Sequence, residues 1–528
     1  MRVLLLSMPD SFEHTPALTM RMPNGALASL AGNAGPRHRV AVADLINAQD
    51  RVVPTVERLM REIDPEVVGL SVMTFQRRTA LRLIQRIRRI KPGVAIVAGG
   101  YDPSLAADAY DHPSSGVDFI VRGEGERTFR ALLDTLQALG SRLWASGNGV
   151  QDVPGLSFRA SPDAGFTHNP PRPVQRIEDG GLALPDRGAR VLPGYTFLGR
   201  PIDIVETSRG CTYDCSFCSI IEMRGRNFHT FDFTRVLADI ADARARGARA
   251  IFLVDDNITL NVARFEALCR AIIDAGFDDV HYIVQAMTSS IASHGDTLAP
   301  LMRRAGFRYV FLGIENVLDG DLAFLRASAK NAERQGGRRI GNASVRAIEL
   351  LHASGLAVVG GIIVGNPDDT RESIEANLAF AKRYVDWPYI QHPTPYPGTP
   401  MTEDFRRQHL IVNDRVEEYD GTTAVVRTAH LDAEEVEFLR WRAERWMKVA
   451  HVPNVLRHYP RFVLRHAPQM LAHTFRGSTW RSWAGLERER DVFRRYRAIR
   501  AAEREYVPDA AAAPDASASG RRVAAAAL

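Results

Sequence analysis

The stretch SRGCTYDCSFC, at positions 208–218, holds three of the four cysteines of this 528-residue chain. Cys211, Cys215 and Cys218 follow the apolar segment Ile202–Val205, which predicts a buried strand. Thiolates suit iron–sulfur clusters or zinc, and three of them leave one iron of a cubane cluster open for a substrate. A structural zinc takes a fourth ligand, and none follows at the usual spacing. We therefore predict a 4Fe–4S cluster on a loop after a strand, in preference to three buried structural cysteines.

A series of alternating strands and helices is predicted from Ile202 onward. The helix predicted near Val262–Ala275 carries the fourth cysteine, Cys269, on its apolar face, where we expect it to pack as a small hydrophobe. A later helix is predicted at Leu298–Ala305. The strands are predicted at Ile202–Val205, Ala250–Val254, Tyr282–Gln285, Tyr309–Gly313, Val358–Val364 and Tyr389–Gln391. Six strands in such a series predict a partial (β/α)6 barrel of the TIM type, with its chemistry at the carboxyl ends of the strands.

The same alternation fills the N-terminal part of the chain, to about residue 130. Its short strands are predicted at Val3–Leu6, Val40–Ala43, Val67–Val72, Val94–Val97 and Phe119–Val121. Strands rich in β-branched residues that alternate with helices predict a parallel, doubly wound sheet of Rossmann-like α/β fold. Glycine-rich turns follow the fourth and fifth strands, where such folds bind their ligands.

These patterns divide the chain into five parts. We predict a Rossmann-like domain at 1–145, a linker rich in Gly and Pro at 146–197, the barrel at 198–410, a small helical domain at 411–506 and a disordered tail at 507–528. The fold class is thus α/β with a helical C-terminal domain.

Positive charge is concentrated in the helical domain. Between Arg440 and Arg500, fifteen Lys or Arg stand against four Asp or Glu, a local net charge of +11, whereas the whole chain carries +5. Aromatic and aliphatic residues are interspersed with these arginines, which favours either an element that contacts anionic lipid or a packing domain with a solvated basic face. No RNA-binding fold is visible, so we expect no nucleic-acid partner.

The cysteines and the start of the chain bear on its compartment. Three cysteines within eight residues do not make a secreted disulfide framework, and the short apolar run at the start, cut by Pro9, does not resemble a signal peptide. We expect a cytoplasmic protein, with peripheral contact to the inner membrane surface if residues 440–500 bind lipid.

The pattern Cys-x3-Cys-x2-Cys, with the aromatic Phe217 before its last cysteine, resembles the signature of the radical S-adenosylmethionine (SAM) superfamily. Three later segments resemble the SAM-binding motifs of that family: Asp255–Asn257, Gly313–Asn316 and Gly361–Pro367. The resemblance covers roughly residues 200–400 and implies SAM contacts from Phe217, Asp255, Asp256, Glu315, Ile363 and Gly365. For the carboxylates, a structural role as acceptors of backbone N–H groups is the alternative.

The N-terminal domain resembles the cobalamin-binding half of the subfamily that joins a B12 domain to a radical SAM barrel. The segments that carry the resemblance are Gly69–Thr74, Ala98–Ser104 and Val121–Glu126. It implies cobalamin contacts from Ser71, Met73, Thr74, Gly99, Gly100, Tyr101, Gly123 and Glu124. The alternative is a domain that serves only as a scaffold.

The chain departs from the B12 pattern at two points. It has no Asp-x-His-x2-Gly motif to supply an axial histidine, so Met73–Gln76 would line the lower face of the cobalt. The sequence Gly-Gly-Tyr-Asp-Pro-Ser, at 99–104, stands where the subfamily often has Gly-Gly-x-His-Pro-Thr.

The resemblance implies a C-methyltransferase that uses a 4Fe–4S cluster, SAM and methylcobalamin to methylate an unactivated carbon. The loops at 216–226 and 252–259 most resemble hopanoid C-3 methylases, which implies a triterpenoid lipid as the small-molecule substrate. An electron donor such as flavodoxin or ferredoxin is also implied. The alternatives are an oxidative cyclase with the same cofactors and a metal-stabilised interaction protein. A tRNA methylthiotransferase is excluded, because no cysteine precedes Cys211.

Overall fold

The computed structural model describes nine stretches of the chain: residues 1–11, 20–140, 149–161, 163–174, 176–179, 181–335, 338–458, 460–475 and 479–508. Parts of the predicted linker at 146–197 fall outside these stretches. Residues 509–528 of the predicted tail also lie outside them. Val507, at the start of that tail, is buried against the core of the N-terminal domain.

The first sheet has the doubly wound topology that the sequence predicts. Up to residue 168 the strands are β1 (Arg2–Ser7), β2 (Met20–Arg21), β3 (Arg39–Asp44), β4 (Val67–Ser71), β5 (Ala95–Gly99), β6 (Phe119–Val121), β7 (Leu156–Arg159) and β8 (Phe166–His168). All but β2 form one sheet in the order β3-β1-β4-β5-β6-β7-β8, in which the first five strands run parallel. The chain direction across the sheet reverses between β1 and β4, and ligands bind at such a switch point.

Helices cover both faces of this sheet, because its strands are apolar on both sides. The helices are α1 (Gly25–Asn33), α2 (Val52–Ile63), α3 (Arg77–Ile90), α4 (Tyr101–Leu105) and α5 (Glu126–Leu139). One core lies between the sheet and α2 and α3, and a second core between the sheet and α1 and α5.

The second sheet is a half barrel, as predicted. From residue 196 the strands are β9 (Thr196–Phe197), β10 (Arg200–Val205), β11 (Ser208–Arg209), β12 (His229–Thr230), β13 (Ala250–Leu253), β14 (His281–Met287), β15 (Phe307–Glu315), β16 (Ala332–Gln335), β17 (Arg338–Asn342), β18 (Ala357–Ile363) and β19 (Trp387–Gln391). The six strands β10, β13, β14, β15, β18 and β19 run parallel and neighbour each other in chain order. At the β10 edge, β9 and then β2 add antiparallel strands.

The helices of this domain are α6 (Ser219–Arg224), α7 (Phe233–Ala245), α8 (Val262–Asp274), α9 (Thr288–Arg304), α10 (Asp319–Phe324), α11 (Ser344–Ala353), α12 (Arg371–Tyr384) and α13 (Pro400–Arg407). Cys269, on α8, is fully buried in the barrel core, which confirms the prediction for it. The helix predicted at Leu298–Ala305 begins earlier, at Thr288. Its first turns are rich in Ser and Thr, and α9 holds a helical conformation there because it packs against α8 and α11.

The C-terminal helices are α14 (Ala433–His458), α15 (Pro460–Thr474), α16 (Trp480–Trp483) and α17 (Glu489–Glu503). From α15, Phe462 packs against Phe197 and Tyr309 in a cluster on the concave side of the barrel strands. None of the helices in the described part of the chain combines the length and the apolar composition that a bilayer-spanning helix needs.

Candidate functional site

The three clustered cysteines lie on the loop between β11 and α6, directly beyond the carboxyl end of β10. Cys215 is buried, whereas Cys211 and Cys218 are half-buried, and all three are free thiols. The loop turns on itself, because the Cys218 amide donates to the Cys215 carbonyl at 3.1 Å. It is tied to the barrel through Ser216, whose amide donates to the Leu325 carbonyl at 3.0 Å.

The chemistry of these thiols fits a metal-ligand role. Burial raises the pKa of Cys218 to about 12 and also raises that of Cys215. Metal ligation would favour the thiolate form of these two buried thiols. In the part of the chain that the structure describes, no three His, Cys, Asp or Glu side chains converge as the ligands of a single ion would. In a cubane cluster each thiolate ligates a different iron, so the sulfurs surround the cluster instead of one point.

Asp255 and Asp256, which follow β13, both hold the segment that leads into the cysteine loop. Asp255 accepts hydrogen bonds from the Thr207 amide at 2.7 Å, from the Thr207 hydroxyl and from the Ser208 hydroxyl at 2.6 Å. Burial raises the pKa of Asp255 to about 6, although these hydrogen bonds oppose the shift. Asp256 accepts from the Gly210 amide at 2.7 Å. These contacts give both carboxylates a role in shaping the loop.

Asn257, the last residue of the Asp255–Asn257 motif, lies beside the cysteine loop although it was not among the predicted SAM contacts. Its amide Nδ2 lies 3.8 Å from the Cys211 sulfur and 3.9 Å from the Met287 sulfur. Its position in the Asp-Asp-Asn triplet is the signal that could have found it.

Glu315, at the end of β15, adopts an uncommon backbone conformation. Its φ is +59°, a left-handed value that costs a residue other than glycine about 1 kcal/mol or more. Strain of this kind is concentrated at functional sites. The carboxylate is buried and forms an ion pair with Lys330, with 2.8 Å between Oε1 and Nζ. Burial alone would lower the pKa of Lys330, but the charges of Glu315 and Cys215 raise it.

Lys330 therefore places a positive charge beside the cysteine loop. Its Nζ also lies 6.0 Å from the ring centre of Phe217. No motif includes this lysine, and only the tertiary structure brings it to the site.

Phe217 and Ile363, both predicted as SAM contacts, share one apolar cluster next to the cysteine loop. The Ile363 carbonyl accepts from Asn316 Nδ2 at 3.0 Å. Gly365 has φ +100°, and its amide donates to Asp369 at 2.7 Å. The structure thus brings the Gly361–Pro367 motif and the Gly313–Asn316 motif to the same end of the barrel.

A cavity of about 540 Å³ lies between the carboxyl ends of the first sheet and the barrel. Seven of the eight predicted cobalamin contacts line it: Ser71, Met73, Gly99, Gly100, Tyr101, Gly123 and Glu124. Thr74 is buried and does not line it. The barrel contributes lining residues that the sequence analysis did not single out as contacts: Ile204, Glu206, Arg209, Met223, Arg224, Arg235 and Asp239.

The wall of this cavity suits a large ligand with a polar rim. The lining side chains of Arg224, Arg235 and Asp239 each have a buried polar atom without a hydrogen-bond partner. The corrin ring of cobalamin carries amide side chains that both donate and accept hydrogen bonds. Towards the first sheet the wall is apolar, formed by Leu5 and Phe129 among others. The residues present therefore fit cobalamin.

The structure shows what occupies the positions of the two departures from the B12 pattern. Of the four residues expected to line the lower face of the cobalt, only Met73 reaches the cavity. The Gln76 side chain instead accepts a hydrogen bond from the Met73 amide at 3.0 Å. Asp102 is buried and bonds both Arg77 and the hydroxyl of Tyr110. A histidine at position 102 would leave that arginine without its carboxylate.

The cavity adjoins the cysteine loop. Asp256 and Arg224 line the cavity, and the first of them holds the backbone of Gly210, next to Cys211. Tyr101, on the opposite wall, lies close enough to Asp256 and Cys218 for their charges to raise its pKa further, in addition to the effect of burial. The two predicted cofactor sites therefore face each other.

Comparison with known proteins agrees with this arrangement. Residues 21–133 match the family model of the B12 binding domain, and residues 205–381 match that of the radical SAM superfamily. An uncharacterized methyltransferase of Pyrococcus horikoshii is 27% identical over 446 residues, which are 84% of this chain and 91% of the relative. The hopanoid C-3 methylase of Methylococcus capsulatus is 27% identical over 395 residues, 70% of either chain.

A solved structure shares the fold. The radical S-adenosylmethionine methyltransferase TsrM from Kitasatospora setae, determined with cobalamin and a 4Fe–4S cluster bound, matches with a TM-score of 0.61 and 20% identity. The match covers 78% of this chain and 79% of TsrM.

Proposed function

Since this chain is a radical SAM enzyme with a B12-binding domain, homologous to cobalamin-dependent methyltransferases, we propose that it methylates an unactivated carbon of a polycyclic triterpenoid lipid. Its cofactors are a 4Fe–4S cluster, SAM and cobalamin. The observation that carries the proposal is the cavity at the carboxyl ends of the first sheet, which adjoins the cysteine loop of the barrel.

When bound, these cofactors supply a radical that removes hydrogen from carbon and a methyl group that replaces it. The chain positions them. Cys211, Cys215 and Cys218 would hold the cluster, and Asp255 and Asp256 fix the backbone of their loop.

The remaining predicted contacts would bind SAM and cobalamin. Phe217, Glu315, Ile363 and Gly365 would bind SAM at the carboxyl ends of the barrel strands. The glycines of the first domain would let its backbone approach the corrin ring, because a side chain there would fill the space.

The residues on the concave face of the barrel favour a large apolar substrate. Phe252, Phe311 and Tyr389 lie on this face and are half-buried, with the last two rings 5.3 Å apart and edge to face. Phe462 of α15 packs into the apolar cluster on the same face. Half-buried aromatic rings on this face favour a lipid ring system, and hopanoid C-3 methylation is the specific reaction we propose.

Product analysis tests this function. Enzyme reconstituted anaerobically with iron, sulfide and hydroxocobalamin is incubated with methyl-labelled SAM and a hopanoid, and the products are examined by mass spectrometry. We expect a labelled methyl group on the hopanoid. Oxidised or cyclised product without label would instead support an oxidative cyclase, and zinc or no metal with no SAM cleavage would support an interaction protein.

The cysteines provide a matched control. Cys211→Ala, Cys215→Ala and Cys218→Ala are expected to abolish both the iron content and the formation of 5′-deoxyadenosine, whereas Cys269→Ala preserves both. Retention of cluster and cleavage in any of the first three variants would contradict the site.

We also propose that the enzyme works in the cytoplasm, receives electrons from a flavodoxin or ferredoxin, and contacts the inner membrane surface through residues 440–500. On α15, Leu464 is 73% exposed and Leu471 is 56% exposed, one helical heptad apart on one face. Arg461 and Arg465 are exposed on the same helix. Apolar residues next to arginines are typical of helices that lie on anionic lipid.

Vesicle sedimentation tests the membrane contact. We expect the enzyme to bind phosphatidylglycerol vesicles, to bind phosphatidylcholine vesicles less, and to dissociate as salt screens the charges. Leu464→Glu with Leu471→Glu should abolish binding, whereas Val412→Glu, at an apolar position elsewhere that is 52% exposed, should not. Equal binding by all variants would refute the contact.

A further inference from the structure

Arg209 is a buried cation located where the two cofactor domains meet. It lies two residues before Cys211, on β11, and its side chain is only 6% exposed. Burying a guanidinium is costly unless carboxylates pair with it, so its partners define what the residue does.

Its three partners come from both domains. Nε donates to both carboxylate oxygens of Glu206 at 2.9 Å, and Nη2 donates to Glu126 Oε1 at 2.7 Å. Nη1 lies 3.6 Å from Glu124. Glu206 belongs to the barrel, whereas Glu124 and Glu126 belong to the glycine-rich turn and the start of α5 in the first domain. Ser29 of α1 donates to Glu126 as well, at 2.8 Å.

The network continues through a second arginine. Arg224, on α6, lies 3.8 Å from Glu124 and 3.6 Å from Asp256, the residue that holds the Gly210 amide. A continuous series of charged contacts thus joins the cavity turn at Gly123–Glu126 to the backbone on either side of Arg209. All of these side chains line the cavity.

From this geometry we propose that Arg209 is a positioning residue that fixes the cobalamin cavity relative to the cluster loop. The inference rests on the proposed function, because it concerns the two cofactors that this function requires. A guanidinium presents its donors in a rigid planar fork, so three carboxylates bound to one fork are held at set angles. A lysine would keep the charge without that geometry.

The experiment measures the relative placement of the cofactors directly. Wild-type enzyme and variants are reconstituted with iron, sulfide and hydroxocobalamin and are then reduced with dithionite, which converts Co(III) to Co(II) and the cluster to its paramagnetic reduced state. The two centres are examined together by electron paramagnetic resonance. Magnetic interaction between the two paramagnets depends steeply on their separation and reports it without any substrate. The variants are Arg209→Met, Arg209→Lys and Glu126→Gln.

The matched control is Arg159→Met. Arg159 is as buried as Arg209, pairs with Asp111 and bonds the carbonyls of Val117 and Tyr110, but it does not line the cavity. Thermal unfolding of every variant shows how much each loses in stability. Arg159→Met therefore reports the effect of removing a buried arginine in general.

We expect the interaction to be uniform in the wild type and in Arg159→Met, and to weaken or spread over several values in Arg209→Met and Arg209→Lys. Glu126→Gln should change it in the same direction with a smaller effect. The same interaction in all variants would overturn the inference, as would an equal change in Arg159→Met. If the wild type retains no cobalamin, the proposed function fails together with the inference.

Discussion

Gly100 offers a quantitative test of the cobalamin cavity. Its backbone has φ +102° and ψ −168°, a region that is essentially restricted to glycine. A β-carbon built there would lie 2.8 Å from the Val72 carbonyl oxygen and 3.0 Å from its nitrogen. Both neighbours are backbone atoms, so the turn itself must move.

Two other glycines serve as controls for Gly100→Ala, because they separate the cost of the backbone conformation from the cost of the close contact. Gly123 also has a left-handed φ, +72°, but its β-carbon would meet nothing within 4 Å, and Gly93 has neither the strained φ nor any close neighbour. We expect Gly100→Ala to cost about 3 kcal/mol and Gly123→Ala about 1 kcal/mol. Gly93→Ala should be neutral or stabilise by about 0.5 kcal/mol.

The assay combines thermal unfolding with hydroxocobalamin binding followed by absorbance. The unfolding temperatures should rank Gly93→Ala highest and Gly100→Ala lowest. Displacement of the Gly100 turn should also weaken cobalamin binding by about tenfold or more, since each 1.4 kcal/mol is a factor of ten. Unchanged binding by Gly100→Ala would refute the assignment of this turn to the cobalamin site, and equal costs for all three variants would refute the strain argument.

Three further predictions concern charge near the cofactors. Lys330→Met should shift the midpoint potential of the cluster to more negative values, because a nearby positive charge favours the reduced form; a redox titration would show this, and an unchanged potential would contradict it. Burial would raise the pKa of Glu126, but Arg209 lowers it to about 2. The stabilisation that this ion pair provides is therefore present above the unfolded pKa of about 4.5 and is lost as pH falls towards 2. Acid titration of wild type and Glu126→Gln should show a difference in stability that disappears over that range. Asp102→His introduces the residue that the subfamily often has and leaves Arg77 unpaired, so it should destabilise the protein by about 3 kcal/mol. Thermal unfolding measures this loss of stability.

The order of the secondary structure could be predicted because its signals are local. Alternating apolar runs and helical spacings located the parallel strands of both sheets to within a few residues, as for Phe119–Val121. The antiparallel strands β2, β7, β8 and β9 were not predicted. The start of α9 at Thr288 could not be predicted, because packing against α8 and α11 overrides its weak helix propensity.

In the candidate site, too, some features could be predicted from the sequence and others could not. The cysteine spacing and the glycine-rich turns can be recognised because each motif is contiguous. A cluster and cobalamin each need residues at fixed short separations along the chain. Thr74 illustrates the limit: it lies next to Met73 in the motif, yet its side chain is buried while that of Met73 lines the cavity.

The amino-acid sequence alone therefore determined which cofactors the chain is built for, since those motifs lie within single loops. Only the tertiary structure decided which charges pair within the barrel and how the two halves are joined. Lys330 meets Glu315, and Arg209 meets Glu126, across fifteen and eighty-three residues of chain respectively. Such pairs leave no periodic or local signal in the sequence, because an ion pair depends on the distance between two charges in space and not on their separation along the chain.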